Sequence, residues 1–290
     1  MRYYTNVQMV GNDFLVRGYE DGKSFTTREK YNPTLFVPSK KRTKYKTLDG
    51  KYVQSVKPGS VRDCREFYRT HGEVKGFEIF GNNRYIYQYI SDKYPEKEIT
   101  FDINKIKLVT IDIEVKSEKG FPTVQACDEE MLCITLQDYA TKRILTFGVG
   151  PYHHNDPMVK YVQCNDEYDM LQHFITYWSA NPPEVVTGWN CQLYDIAYLA
   201  KRITRVLGEK SCKKLSPWGL VTNEEIYLQG RAHTVYDIGG VTVLDYLDLY
   251  RKFTYKAQES YKLDYIGEVE LGQKKLDHSE FDTFKDFYTK

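Results

Sequence analysis

The sequence predicts a mixed α/β (α+β) chain in two parts: a small β-rich domain over residues 1–104, then a mixed sheet flanked by helices over residues 105–290. Three observations carry this. Short alternating apolar and polar runs, broken by Gly, Asn and Asp turns, dominate the first hundred residues. A nearly continuous apolar stretch, K-I-K-L-V-T-I-D-I-E-V from Lys105 to Val115, then reads as a strand buried on both faces. After it, hairpin-like runs give way to helix, strand and helix, the order of a sheet that folds under helices.

In order, Tyr3–Val7, Asp13–Arg17 and Thr34–Pro38 read as antiparallel strands, with turns at Gly11-Asn12, Asp21-Gly22 and Asn32-Pro33. Ser39 to Lys46 is a basic loop carrying Tyr45, of a kind that can meet phosphates and equally can be solvated surface. Val61–Tyr68 predicts a short helix; Lys75–Gly81 and Arg84–Ile90 predict strands. The polar stretch from Asp92 to Asn104, with Tyr94-Pro95, predicts the domain boundary.

Beyond the central strand, Met131–Leu136 and Arg143–Phe147 read as two more strands. Asp166 suits the cap of a helix bearing Met170, Leu171, Phe174, Ile175 and Trp178, which Asn181-Pro182-Pro183 stops. Glu184–Gly188 is a short strand, and Ile196, Leu199, Ala200, Ile203, Val206 and Leu207 make one helix face closed by Gly208. Ile226–Leu228 and Thr234–Ile238 flank Gln229-Gly230-Arg231-Ala232-His233, which reads as a protruding hairpin. Val241–Leu247 reads as a strand, and Ser260 as the cap of a helix through Leu263, Ile266 and Val269.

The 290 residues carry a net charge of only +1, but unevenly. Residues 1–105 hold 20 Lys+Arg against 13 Asp+Glu, and residues 106–290 hold the other 21 against 27. A basic part beside an acidic part fits a polyanion-contacting domain next to one that holds cations. No run is long enough to cross a bilayer, no signal peptide opens the chain, and the six cysteines include no C-x-x-C pair, which suits a reducing cytoplasm.

The chemistry lies in the central strand. Asp112 and Glu114 stand two apart, so both point to one face, roughly 6–7 Å apart along it. Burying such a pair without neutralisation costs several kcal/mol, and a divalent cation with oxygen ligands is the natural neutraliser. A strand whose carboxylates are simply in water has the same pattern. A third carboxylate, Asp195, opens the helix after the short strand, free to face the sheet edge where ligands of such folds collect.

These segments resemble family B DNA polymerases, in particular those of T-even-like bacteriophages and cyanophages. Asp112-Ile113-Glu114 matches the first exonuclease motif, D-x-E, and Asn190 to Asp195 matches the second, N-x-x-x-[FY]-D. Gly120-Phe121-Pro122, Leu215-Ser216-Pro217, Leu244–Tyr250 and Ser260–Ile266 are also similar, so the likeness runs from the N-terminal part to about Leu271. The resemblance implies a β-rich N-terminal domain followed by a ribonuclease-H-like exonuclease domain, incomplete at its C-terminal side. It implies 3′-5′ hydrolysis of DNA by two Mg²⁺ ions, with Mn²⁺ as an alternative. Asp112 would bridge the ions, Glu114 would hold the water-activating one and Asp195 the other. Phe121, Asn190, Tyr194 and Arg231 are the implied nucleic-acid contacts, with Phe121 wedged among terminal bases. Single-stranded and primer-template DNA are the implied partners, RNA a further one, and the infected bacterial cytoplasm the implied setting.

One departure matters. The family's third motif, Y-x-x-x-D, has no match after Asp195; Tyr152 to Asp156 has the spacing but comes too early and reads as a loop. The expectation is therefore the proofreading front end of a polymerase, either a split-gene product completed by a downstream polypeptide that carries the third motif or a truncated piece. The alternatives are an inert single-strand DNA- or RNA-binding module, and a stand-alone exonuclease using Asp282 or Asp286 as its fourth ligand.

Overall fold

The computed structural model describes residues 1–96, 98–118, 120–228 and 230–274. The chain forms two compact units, Met1–Asp102 and Ile103–Lys290.

In the first unit, β1 (Arg2–Val10), β2 (Asp13–Glu20) and β3 (Lys23–Lys30) form an antiparallel meander. Its tight links pair Val10 with Asp13 and Glu20 with Lys23. Asp21 and Gly22 both take positive φ (+50° and +78°), the backbone a two-residue hairpin turn requires. A second sheet, ordered β4-β6-β5, joins β4 (Leu35–Pro38), β5 (Tyr45–Lys46) and β6 (Tyr52–Val56). Helix α1 (Val61–His71) starts at a capping box in which Ser60 and Asp63 satisfy each other's backbone N–H groups.

Two expected strands differ here. Arg84–Ile90 lies in helix α2 (Tyr85–Lys93). Its Tyr85, Tyr87 and Tyr89 mimic a period of two, yet Tyr85 and Tyr89 are buried while Tyr87 is exposed, because positions four apart share a helix face. Stacking of Tyr89 on Phe14, ring centres 4.8 Å apart, holds that face to the core. Lys75–Gly81 contributes only one bridge, Phe80 to Phe36.

The second unit is built on a six-stranded sheet ordered β10-β9-β8-β7-β11-β14. Its strands are β7 (Leu108–Val115), β8 (Met131–Asp138), β9 (Ile144–Val149), β10 (Val159–Cys164), β11 (Val185–Gly188) and β14 (Thr242–Asp245). Only β8 runs antiparallel to its neighbours, so the other five end at one edge. Strand β10 is not among the expected strands, because its apolar–polar alternation is partial. Between β11 and β14 come α4 (Asp195–Leu207), the short α5 (Glu209–Cys212) and the hairpin β12 (Val221–Leu228) and β13 (Arg231–Ile238). Helix α3 (Glu167–Ala180) precedes β11. After β14, the expected strand through Leu247 stops at Asp245, which caps α6 (Tyr246–Phe253); α7 (Leu263–Leu271) follows.

One core joins the sheet to α3 and α4. Ile111, Ile113 and Val115 of β7, with Ile134, Leu136 and Phe147, meet Phe174 and Trp178 of α3 and Ile196 and Leu199 of α4. Each such side chain taken from water contributes about 1.5–3 kcal/mol. The two helices and β8 are also tied by a buried ion pair: Arg202 donates to both Glu167 carboxylate oxygens at 2.6 and 2.7 Å, and the Met131 N–H donates to the same carboxylate.

The central strand is not buried on both faces. Ile111, Ile113 and Val115 are buried, but Thr110 and Asp112 on the other face are exposed and Glu114 is half-buried. Helices α3 and α4 pack on the face of Ile111 and Ile113, and on the other face Asp112 is exposed while Glu114 and Cys133 are half-buried.

Candidate active site

Strand β11 pairs with β7 only as far as Thr110, so beyond it the N–H groups on that side of β7 need another partner. Asp195, first residue of α4, supplies one: its Oδ1 accepts from the Ile113 N–H at 3.1 Å. A carboxylate 82 residues away is thereby anchored at the residue between Asp112 and Glu114.

The turn before α4 explains the placement. A Cβ on Gly188 would sit 2.7 Å from the Ile111 carbonyl oxygen, so only glycine lets the chain pass this close to β7. Asn190 then takes a left-handed backbone (φ +61°). Buried Asp245 holds the turn from below, accepting from the backbone N–H of Asn190 and of Gln192 at 2.9 Å each, and from that of Leu247 at 3.0 Å. The sequence reading named Asp245 without giving it this task; an Asp where a strand gives way to a helix was the available signal.

The electrostatics bear the mark of crowded carboxylates. Burial, reinforced by the charge of Asp112, pushes the Asp195 carboxyl up to about 7. Cys133 lies directly opposite Glu114 in the ladder; burial, then Glu114 and Asp112, push its thiol up to about 12. The Tyr194 hydroxyl is raised by burial and then by Asp195 and Glu114. The three groups are hard oxygen donors, and one of them holds a proton near neutrality.

The aromatic residues fall beside them. Phe121 is 78% exposed, with its ring 5.4 Å from that of Tyr194. Arg231 opens β13 and is exposed, while the neighbouring Ala232 carbonyl accepts from Gln125 of the loop that carries Phe121. Tyr152 to Asp156 lies in the β9–β10 connection, and Asp282 and Asp286 lie outside the described residues. Among the described residues, the group of three donors gathered within 4.8 Å is a different one, Cys164, Asp169 and His173. An apolar groove between α3 and the outer strands, lined by Ile144, Leu145, Val162 and Tyr177, is on the helix-covered face and not on the acidic one.

A mixed sheet of this order, with α3 and α4 packed on the face opposite Asp112 and Glu114, defines a ribonuclease-H-like α/β domain. The chain belongs to the family B DNA polymerase exonuclease domain: the model of that family, "DNA polymerase family B, exonuclease domain", matches residues 79–266. It is 31% identical over 301 aligned positions to the DNA-directed DNA polymerase of Enterobacteria phage T4, covering 94% of this chain and 33% of that protein. For the DNA-directed DNA polymerase of Escherichia phage RB69 the identity is 30%, with the same coverage. The DNA polymerase catalytic subunit of Psittacid herpesvirus 1 is 27% identical over 189 positions, covering 60% of this chain and 17% of that protein. The chain spans about a third of the length of the phage relatives. Among the described residues no helix is long and apolar enough to cross a membrane.

Proposed function

We propose that the chain is the proofreading portion of a phage DNA polymerase, which removes 3′-terminal nucleotides through a divalent-metal site held by Asp112, Glu114 and Asp195. The observation that carries this is the Asp195–Ile113 hydrogen bond, which brings the second motif onto the first. Two Mg²⁺ ions, or Mn²⁺, would supply an activated water and stabilise the leaving 3′-oxygen.

The residues of the chain do the rest. Asp112 and Glu114 present oxygen ligands on the open face of β7, and Asp195 presents one from the helix. Phe121 and Tyr194 offer ring faces to unpaired terminal bases, worth about 1–3 kcal/mol per stacked base. Asn190, held by its backbone to Asp245, offers its side chain to the strand, and Arg231 offers a cation to phosphate. The N-terminal part, residues 1–104 in this reading, contacts nucleic acid through the basic loop, where Lys44 lies 4.9 Å from the Tyr45 ring centre. The place of action is the cytoplasm of the infected cell.

We assign the fourth carboxylate, which the family's Y-x-x-x-D motif carries, to polypeptide outside these 290 residues. A second reading, favoured by the basic loop from Ser39 to Lys46, is an inert module that grips single-stranded DNA or RNA. A 3′-labelled single strand with Mg²⁺ separates them. Trimming that needs the downstream polypeptide and disappears in Asp112→Ala supports the first. Salt-sensitive binding without trimming in either case supports the second.

A further inference from the structure

A second set of metal-binding groups lies on the opposite face of the sheet from Asp112 and Glu114. Cys164 ends β10, and Asp169 and His173 stand one turn apart on α3. One donor atom from each lies within 4.8 Å of the others. Strand β10 is three places from β7 in the sheet, so this group is roughly 14 Å from the carboxylate strand. Cys164 belongs to the core under α3, whereas Asp112 and Glu114 face the open side.

The group is held in place by its surroundings. The Asp166 side chain caps α3 by accepting from the Asp169 N–H at 2.8 Å. The Asn165 backbone N–H and Nδ2 each donate to Asp169 Oδ2 at 3.0 Å, which orients the carboxylate. The His173 ring is steered by its Nδ1, 2.9 Å from the Asp169 carbonyl oxygen and 3.1 Å from Oδ1. Cys164 is 2% exposed, but His173 is open to solvent, so an ion can enter from the imidazole side.

We propose that Cys164, Asp169 and His173 bind a thiophilic divalent ion of the Zn²⁺ class, clasping the sheet-edge strand β10 to helix α3. A sulfur, a nitrogen and an oxygen suit Zn²⁺ with a water in the fourth position. Mg²⁺ and Mn²⁺ prefer all-oxygen shells, so the two sites select different ions. The ion replaces the Cys164 thiol proton, and one proton goes to solvent for each ion bound. An ion held more tightly by the folded chain than by the unfolded one stabilises the fold by mass action.

Co²⁺ titration of the full chain tests this, because a thiolate ligand gives a near-ultraviolet charge-transfer band. The band should form, be displaced by Zn²⁺, vanish in Cys164→Ser and persist in Cys133→Ser. In His173→Ala, an exposed change that leaves the core alone, the apparent affinity should fall about tenfold or more. No band, a band surviving in Cys164→Ser, a band lost in Cys133→Ser, or unchanged affinity in His173→Ala overturns the proposal.

Discussion

Asp195 Oδ1 accepts the Ile113 backbone N–H at 3.1 Å, so the first residue of one helix fills the gap where β11 stops pairing with β7. The bond fixes the carboxylate at the strand position flanked by Asp112 and Glu114. It also leaves a mostly buried acid beside another negative charge.

That acid sets a pH dependence. Asp195 ionises at about 7 in the folded chain against an ordinary 3.8, so between those values the native state keeps a proton that the unfolded chain has released. Stability of the metal-free chain should therefore be greatest at the acidic end and fall as pH rises through about 7. Urea midpoints from about pH 5 to about pH 8 in chelator test this, and Asp195→Asn should flatten the slope. A midpoint that rises over this range contradicts the assignment.

Asp245 should behave as a positioning residue. Asp245→Ala strands the part-buried N–H groups of Asn190 and Gln192 and the buried one of Leu247, at up to about 1–3 kcal/mol for each left unpaired. The turn should loosen and Mg²⁺-dependent trimming by the completed enzyme should fall with it. Denaturant melts and trimming rates measured on the same samples check both.

Breaking the Glu167–Arg202 pair should be costly. Glu167→Ala leaves the guanidinium buried without its carboxylate, a loss of about 3–5 kcal/mol. Replacing both, as in Glu167→Met with Arg202→Leu, should recover part of it, because the buried Met131 N–H still lacks its acceptor. Equilibrium unfolding of the single and double variants decides between these outcomes.

Phe121→Ala should leave stability within about 0.5 kcal/mol, because the ring is exposed. Single-strand affinity should drop by the equivalent of about 1–3 kcal/mol if the ring stacks on a base. Fluorescence anisotropy with a short labelled strand measures it, and an unchanged Kd removes Phe121 from the site.

The sequence was sufficient at several elements where one local rule spoke alone, but not at Ser260, because the helix expected to be capped there has Lys262 at its N-cap. Asp112 and Glu114 share a face because a strand alternates, and Asp195 begins a helix because six apolar residues after it keep helical spacing. Asp166 and Gly208 bound their helices by local backbone chemistry. The rule failed in Tyr85–Tyr89, where aromatic residues satisfy both periods and stacking on Phe14 chose the helix.

The amino-acid order by itself thus determined the elements, the family likeness and which carboxylates to watch. Tertiary structure alone decided that Asp195 docks on Ile113 and that Asp245 holds the turn. The physical reason is that each of these depends on which distant segments share space, and neither the period of a strand nor that of a helix carries that information.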